Sequence, residues 1–445
     1  MRDLAARLRS IVRQDHGGSA SSSSSSPRRE LTYIPDVAAS TPDPEQAAAA
    51  LGGTLIDSGC VVIDRVWEPD DWHGRRAVRS FTVRSDAPIG LFDPRTGQVE
   101  NWASRVVFFD LETTGLSGGA GTLAFLAGCG WFEGESFRVR QFFLSSPSGE
   151  QAMLRALGSI FDEASLLVTF NGRSFDVPLM ETRWAFHRTD AASDGLPHFD
   201  MLPTSRRLWG LREDAGEGAM AAGCRLSELE QSILGFHRIG DVPGFEIPAR
   251  YFHFLRTGDG AAIVGVLEHN RHDLVSLAGV MAHALALASD GPEACRETCE
   301  QLALGRLYER AGDHERALRA YELAVSGAER GEREVRLQAL AAMAALLNRA
   351  GRHVEAAAAW QGVLDHARRF SASPALEQRA VQALAIHHEH RARDLETAHR
   401  YAERLNRQAS GRARESAAHR LGRIEKKMGS SAKDLLTPEP ENPRT

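Results

Sequence analysis

The spacing of apolar residues changes along the 445-residue chain, and each change predicts a different kind of element. Three apolar runs between residues 104 and 145, separated by glycine-rich or polar turns, predict three successive strands of a meander. Helical spacing follows at 150–164 and 175–188, with a short buried-strand pattern at 166–172 between them, and returns at 261–288. This order predicts an α/β fold, a mixed sheet with helices on its faces.

The segments on either side of this region have different patterns, and five parts are expected. They are residues 1–30, an amphipathic terminal helix and a disordered serine-rich linker; 31–100, a small α+β lobe; 101–290, the sheet domain; 296–428, an all-α helical-repeat domain; and 429–445, a disordered tail.

Small and aromatic residues after residue 296 follow the spacing of a tetratricopeptide repeat. The first copy carries Leu304, Gly305, Tyr308, Ala317, Tyr321 and Ala324. Ala356 and Trp360 repeat the spacing of Ala317 and Tyr321, and a degenerate third copy surrounds Ala398. We therefore prefer a helical-repeat scaffold to an unrelated helical bundle. Because repeat arrays present concave surfaces, a protein partner on this domain is a further expectation.

Composition favours a soluble globular protein, with 42% hydrophobic and 25% charged residues. The sequence contains neither an uninterrupted apolar run of membrane-spanning length nor a secretory leader pattern, so we expect a cytoplasmic protein without a membrane partner. The five cysteines are scattered and form no CxxC pair, which argues against a disulfide framework or a zinc knuckle.

Two carboxylates close the first apolar strand, in the motif FDLETTGL at residues 109–116. Residues i and i+2 of a strand project to one face, so Asp110 and Glu112 point the same way. A pair of solvated acids on an edge strand would show the same spacing. The apolar run at 106–109 favours a buried central strand, where two acids call for a cation, and oxygen ligands suit Mg²⁺.

Two further motifs are weak when each is taken alone. In VTFNGRSFDVPL, at 168–179, Asp176 has the position of an ordinary helix N-cap or first-turn acid. In EHNRHD, at 268–273, His269 and Asp273 share one helix face and could be a surface pair. The order of the three motifs gives them their weight.

Taken together, the three motifs resemble those of the DnaQ-like (DEDD) 3′–5′ exonucleases, which have the ribonuclease H-like fold. The resemblance is closest to the YprB-like ribonuclease H-like proteins, which pair such a domain with helical repeats. It covers about residues 45–290 for the family and 104–288 for the catalytic fold.

The resemblance implies a set of site residues and a cofactor. The metal ligands would be Asp110, Glu112, Asp176 and Asp273, holding two divalent cations, Mg²⁺ or Mn²⁺, with His269 as general base. Substrate would be bound by Thr113, Thr114, Gly115, Leu116, Asn171, Arg173 and Asn270.

One position departs from both subclasses of the family. The histidine subclass has its histidine five residues before the last aspartate, where this chain has Glu268. The tyrosine subclass has tyrosine four residues before that aspartate, followed by asparagine, where this chain has His269 and Asn270. A histidine therefore occupies the tyrosine position, and His272 is expected to be a bystander.

Charge is distributed unevenly along the chain, whose net charge is −6. Acidic residues outnumber arginines in 101–290, and basic residues outnumber acidic ones in 391–427. Either that basic region or core arginines could attract phosphates, although a solvated helix face explains the basic region equally well. The core candidates are Arg173, Arg206, Arg207 and Arg271. The tract His387-His388-Glu389-His390 is expected to be helix surface rather than a metal site.

The sequence thus predicts a two-metal-ion 3′–5′ exonuclease that hydrolyses phosphodiester bonds of single-stranded DNA or RNA. One alternative is a catalytically idle or nucleic-acid-binding adaptor that acts through its helical repeats. Another is an endonuclease that uses the same metal site.

Overall fold

The structure is a computed structural model, and it describes residues 42–57, 59–115, 121–210, 224–327, 333–369 and 374–434. The amphipathic helix and the serine-rich linker expected within residues 1–30 lie outside the described residues. So does Leu116, and so does the end of the tail, 435–445.

A seven-stranded mixed sheet lies at the centre of the molecule. Its strands are β1 (Thr54–Asp57), β2 (Cys60–Trp67), β5 (Val106–Thr113), β6 (Ala124–Glu133), β7 (Ser136–Leu144), β8 (Leu166–Thr169) and β9 (His198–Asp200). The strands β3 (Trp72–His73) and β4 (Arg76–Ala77) form a separate small hairpin. Across the sheet the order is β1-β2-β7-β6-β5-β8-β9. Neighbours from β1 to β5 are antiparallel, whereas β8 and β9 run parallel to β5. The predicted mixed sheet is confirmed.

Strands β1 and β2 belong to this sheet, although the sequence pattern assigned them to a separate small lobe. β2 pairs antiparallel with β7 along its whole length, from Cys60 opposite Leu144 to Trp67 opposite Phe137. The reason is that β7 would otherwise leave one row of backbone groups unpaired at the sheet edge. The segment before residue 101 therefore extends the sheet.

Among the described residues, seven α-helices accompany the sheet: α1 (Pro44–Leu51), α2 (Glu150–Asp162), α3 (Asp176–Phe186), α4 (Met201–Trp209), the short α5 (Leu226–Leu229), α6 (Ile247–Thr257) and α7 (Ala261–Asp290). Successive side chains of β5 point to opposite faces of the sheet, and the helices on the two faces form two separate hydrophobic cores. Phe108 is buried with α4 and most of α7, whereas Phe109 is buried with α2, α3 and α6. Asp110 and Glu112 follow the alternation of Phe108, so they face the side of α7.

Helix α7 is long and apolar enough to cross a membrane by length and composition, with a mean hydropathy of 1.3 over its most apolar window. However, 72% of that window is buried inside the molecule. The helix is therefore the central core helix of the fold, which explains its composition without a membrane.

The chain after residue 296 is helical wherever the structure describes it, as predicted. Its helices are α8 (Thr298–Ala311), α9 (His314–Gly327), α10 (Arg333–Arg349), α11 (His353–Arg369), α12 (Pro374–His387), α13 (Leu395–Gln408) and α14 (Gly411–Asp434). The side chains that suggested repeats are buried between them, including Tyr321, Trp360 and Ala398. Gly305 allows this packing, because a Cβ there would lie 2.4 Å from the Tyr321 ring. The tetratricopeptide assignment itself stays a prediction.

Two details of this region differ from the expected boundaries. Helix α14 continues to Asp434, past the start of the tail that was expected at residue 429. Helix α4 of the sheet region packs against α8, and the Trp209 indole donates a hydrogen bond of 3.0 Å to Glu300. One hydrophobic core consequently runs from the sheet into the first helices of the C-terminal all-helical region.

Candidate active site

Two acids on the central strand β5 form the floor of the site. Asp110 and Glu112 lie on the same face, between the neighbouring strands β6 and β8. Burial, followed by the charges of Asp273, Glu112 and Asp176, raises the pKa of Asp110 well above its usual value. Burial also raises the pKa of Glu112, with Asp273 and Asp176 as the next causes. The carboxylates repel one another, which is the situation that a bound cation relieves.

Asp176 reaches the same place from the first turn of α3. Burial raises its pKa to about 7, and the charges of Asp200 and Asp273 add to that shift. Hydrogen bonds from its own backbone and from that of Leu111 act in the opposite direction. Its charge in turn acts on Asp110 and on Glu112. The helix-start position that seemed ordinary in the sequence therefore faces the β5 acids.

Helix α7 supplies the remaining predicted groups. Glu112, His269 and Asp273 each offer a ligand atom, and these three atoms lie within 4.8 Å of one another. The Nε2 atom of His269 is 3.4 Å from Asp273 Oδ2. Asp273 also acts electrostatically on Asp110 and Asp176, so all four predicted carboxylates lie within electrostatic range of one another, with Glu112, His269 and Asp273 as the tightest group.

The other side of His269 contacts an acid that the sequence motifs did not include. Its Nδ1 lies 2.8 Å from Asp241 Oδ1. Arg238 Nη1 also lies 3.3 Å from Nδ1 and can only donate. The shorter contact is to the Asp241 carboxylate, which can only accept, so we assign the proton of Nδ1 to that bond. In the neutral ring Nε2 is then free of hydrogen and faces Asp273. The hydrogen bond lowers the pKa of Asp241, against the opposing effect of partial burial.

A buried arginine in the segment before Asp241 connects these groups. Arg238 donates to both oxygens of Glu230, at 2.7 and 2.9 Å, and to Asp273 Oδ1 at 2.5 Å. It also lies 3.2 Å from Asp241 Oδ2. The Arg238 and Glu230 side chains are 7% and 0% exposed, so this network is enclosed by protein. Glu230 accepts a further bond of 2.6 Å from Ser276 on α7.

Asn270 differs from its predicted role. It is fully buried, and its Nδ2 donates to Asp110 Oδ2 at 2.8 Å. Its Oδ1 accepts from Gln141 Nε2 at 2.8 Å. Gly128 on β6 makes room for it, since a Cβ there would lie 2.2 Å from Asn270 Oδ1. Asn270 is thus a positioning residue for Asp110 and is not free to contact substrate.

The loop between β8 and α3 holds two of the predicted substrate-binding residues. Asp200, at the end of β9, accepts from the backbone N–H groups of Asn171 at 2.8 Å and Arg173 at 3.2 Å. Asn171 has a positive φ of 69°, which asparagine tolerates better than most residues. The Arg173 guanidinium bonds Asp93 Oδ2 at 2.6 Å and also the carbonyl of His198. The loop therefore places Asn171 and Arg173 beside Asp176.

The residues after β5 are held by local hydrogen bonds. The Thr113 hydroxyl donates to the carbonyl of Gly115 at 2.9 Å. Thr114 exchanges two hydrogen bonds with the backbone of Leu123, both of 3.0 Å. Thr113, Thr114 and Gly115 thus form the described rim of the site, while Leu116 lies outside the described residues.

Sequence reasoning missed Asp241, Arg238, Glu230, Asp200 and Gln141. All five lie outside the three motifs. Arg238 and Asp241 lie in a connecting segment, and the other three lie within a strand or a helical turn whose pattern does not set them apart. One hint was available: Gly128 interrupts an apolar strand, and such a glycine often marks a close approach. His272 contacts Glu268, at 3.6 Å, and Phe236 rather than the four acids.

The other predicted cationic and histidine-rich segments have different surroundings. Arg271 is buried and bonds Gln141 and Glu268, so it does not face substrate. Glu389, inside the histidine tract, is also buried. It accepts hydrogen bonds from Arg420, Arg423 and Lys427, with the Arg423 bonds as the first cause that lowers its pKa to about 2. Glu389 thus offsets one unit of the positive charge expected in 391–427 and holds three of its basic side chains in place.

The donor set of the site fits a hard divalent cation. Its candidate ligand atoms are carboxylate oxygens, the type that Mg²⁺ and Mn²⁺ accept, and the His269 imidazole lies beside them. Arg238 contacts Asp273, whereas no described cationic side chain forms an ion pair with Asp110, Glu112 or Asp176. Three mutually repelling acids thus lack a positive partner within the described part of the chain.

Comparison with known proteins agrees with this geometry. Residues 107–285 match the family model described as the RNase_H superfamily. The chain is also 30% identical over 336 residues to the protein of Bacillus subtilis (strain 168) named "Uncharacterized protein YprB". That alignment covers 74% of this chain and 76% of the relative. It therefore extends over most of both proteins.

Proposed function

Since the chain belongs to the ribonuclease H superfamily, with a nuclease domain of that fold, we propose that it is a two-metal-ion 3′–5′ exonuclease acting on single-stranded DNA or RNA. The superfamily supports a nuclease with a nucleic-acid substrate. The direction of attack, the form of the substrate and the number of ions are the parts that we propose.

One observation carries the proposal: four carboxylates from three distant segments act electrostatically on one another in the interior of the fold. Burial and mutual repulsion raise the pKa values of Asp110, Glu112 and Asp176, and Asp273 contributes to each of these shifts. Such an arrangement costs folding free energy unless a cation or a function compensates for it. An idle adaptor would gain nothing from retaining it.

Asp110, Glu112, Asp176 and Asp273 would hold Mg²⁺ or Mn²⁺ ions. When bound, these ions supply positive charge that offsets the charge developing on the phosphate and makes water easier to deprotonate. Within the chain, Asn270 holds Asp110 in place through its hydrogen bond to Oδ2, and Arg238 fixes Asp273.

His269 is suited to receive the proton of the attacking water. Its Nε2 faces the acid cluster and, in the neutral ring, carries a free lone pair, because Nδ1 donates to Asp241. Asp241 thus sets the tautomer and the orientation of the ring. This arrangement gives the histidine at the tyrosine position a catalytic role. Asn171, Arg173 and the Thr113–Gly115 rim would then position the terminal nucleotide.

The proposal is tested with full-length protein and a panel of single-stranded substrates, in which the linear strands carry a 5′ label and the circular strand carries an internal label. The panel contains linear DNA, linear RNA, the same strands with a blocked 3′ end, and a circular strand. With Mg²⁺ or Mn²⁺ we expect shortening from open 3′ ends only. Asp110→Asn and Asp176→Asn should abolish digestion, whereas Asp162→Asn, an exposed acid on α2, should leave it unchanged.

Each other result identifies a different activity. Cutting of circular strands would make the protein an endonuclease and overturn the assigned direction. Absence of digestion with either ion, or equal digestion by Asp110→Asn, would overturn the enzymatic assignment and favour an adaptor that acts through its repeats.

A further inference from the structure

In the C-terminal region, an arginine recurs just before the turn that joins the two helices of a hairpin. Helices α8 and α10 are followed by Gly312 and Gly351, and α12 by the turn that ends at Arg393; all three residues have positive φ values, of 83°, 77° and 56°. An arginine stands two positions before each of them: Arg310, Arg349 and Arg391. Because these turns join the two helices of each hairpin, the arginines lie along one edge of the helical array.

Two of these arginines line an open hollow between the first and second hairpins. The hollow has a volume of about 420 Å³ and is lined by Arg306, Glu309, Arg310, His314 and Arg349. Glu309 is its one carboxylate among the described residues, and it already bonds Tyr321 Oη at 2.6 Å and the Arg349 guanidinium. Positive charge therefore exceeds negative charge in the hollow.

Contacts within the chain connect this hollow with the candidate active site. Arg173, beside Asp176 in the chain, bonds Asp93 at 2.6 Å, and Arg207 on α4 bonds the neighbouring carbonyl of Phe92 at 2.9 Å. Arg207 in turn lies near Arg310: burial first, and then the charge of Arg310, lowers the pKa of Arg207. The packing of α4 against α8 fixes this approach.

Arg173 is paired with Asp93 and Arg349 with Glu309, but the other arginines of this group are not neutralised within the described part of the chain. Within the described part of the chain, Arg207, Arg310 and Arg391 form no ion pair. Arg420 and Arg423, by contrast, are both paired with Glu389. Keeping like charges together is unfavourable without an anionic partner. Guanidinium groups suit phosphate because they donate two parallel hydrogen bonds to its oxygens.

We propose that Arg173, Arg207, Arg310, Arg349 and Arg391 form a track for the phosphate backbone of single-stranded nucleic acid. The track leads from the active site along the edge of the helical repeats. It rests on the proposed function, since it takes the strand that the site would digest. The repeats thereby hold the part of the substrate that lies away from its 3′ end.

Binding of fluorescein-labelled oligo-dT and oligo-U of increasing length tests the track, measured by anisotropy at several salt concentrations. All proteins carry Asp110→Asn so that substrate is not consumed. The track variant is Arg310→Gln with Arg391→Gln, which breaks no ion pair. The control is Arg368→Gln with Arg407→Gln, two exposed arginines near the C-terminal ends of α11 and α13, at the opposite edge of the hairpins.

For long strands, the salt dependence of binding should weaken in the track variant. The slope of log K against log salt should fall by about 1.4, which is about 0.7 for each lost phosphate contact. The shortest strands, which reach only the active site, should bind equally to all proteins. The control variant, with the same change in net charge, should match the parent at every length.

Three results would overturn the proposal. If the parent binds and the track variant matches it at every length, the track alone fails and the nuclease assignment stands. If polyglutamate displaces the oligonucleotides regardless of their length, the arginines serve an acidic protein. If the parent binds no oligonucleotide, the track and the proposed function fail together.

Discussion

The two ring nitrogens of His269 have different surroundings. Nδ1 bonds Asp241, and Nε2 faces Asp273 within the acid cluster. A carboxylate that orients an imidazole in this way fixes which nitrogen can accept a proton. Asp241 is therefore a positioning residue for the proposed general base, although it lies far from every motif that the sequence displays.

Asp241→Asn tests this role. An amide can present its N–H to Nδ1, which would move the ring proton to Nε2 and remove the base. We expect kcat to fall about 10- to 100-fold, the usual effect of losing such a supporting carboxylate, with little change in KM. Asp241→Glu should restore part of the rate. Steady-state kinetics on the digested substrate provide both values, and unchanged kcat in Asp241→Asn would contradict the role.

The order of the three motifs along the chain predicted the four acids of the site. The contacts that hold these acids in place could not be predicted from the sequence. Asp110, Glu112, Asp176 and Asp273 follow a recognisable order along the chain, and the structure brings them together. The burial of Asn270 depends on the missing side chain of Gly128 on another strand. Such a contact between distant segments leaves no periodic trace in either segment.

At the scale of elements, β5 and α7 together define the site. Apolar residues bury the first half of β5, so its two acids emerge where the strand leaves the core. Helix α7 lies across the same face and presents His269 and Asp273 one turn apart. The segment that precedes α6 contains Arg238 and Asp241, and Arg238 forms a buried pair with Glu230. This pair is joined to α7 because Arg238 bonds Asp273 and Glu230 accepts from Ser276.

This pair gives a prediction about stability. Arg238→Gln leaves the Glu230 carboxylate, 0% exposed, without its cation. Breaking a buried pair by removing one partner costs about 3–5 kcal/mol, and we expect a loss of that size in urea unfolding. The double change Arg238→Gln with Glu230→Gln should recover much of it, because neither charge then remains buried alone. A single variant within about 0.5 kcal/mol of the parent, as for an ordinary surface change, would contradict the prediction.

Sequence patterns predicted the helices and strands better than they predicted which strands pair with each other. The three predicted strands of 104–145 correspond to β5, β6 and β7, and the helices after them lie where expected. The pairing of β2 with β7 was missed because it depends on which distant edge is available. Alternation along one strand shows which residues are buried, but it does not show which strand lies beside it.

At the scale of the whole molecule, the sheet and the first helices of the C-terminal region share one hydrophobic core. The Trp209 bond to Glu300 adds a buried polar link at this junction. The repeats therefore have a fixed position relative to the site, which the proposed arginine track requires. The acidic overall balance, with a net charge of −6, is compatible with this because the charges are separated in space.

The central claim is that the four converging acids jointly bind divalent cations, and titration calorimetry with Mn²⁺ tests it most directly. Carboxyls with raised pKa values must lose protons to bind metal, so affinity should increase as the pH rises through about 7, the value for Asp176. The heat should also depend on the buffer that takes up these protons. We predict saturable binding by the parent and by Asp162→Asn, and a large loss in Asp110→Asn and in Asp176→Asn. No binding by the parent, or equal binding by all four proteins, would contradict the account.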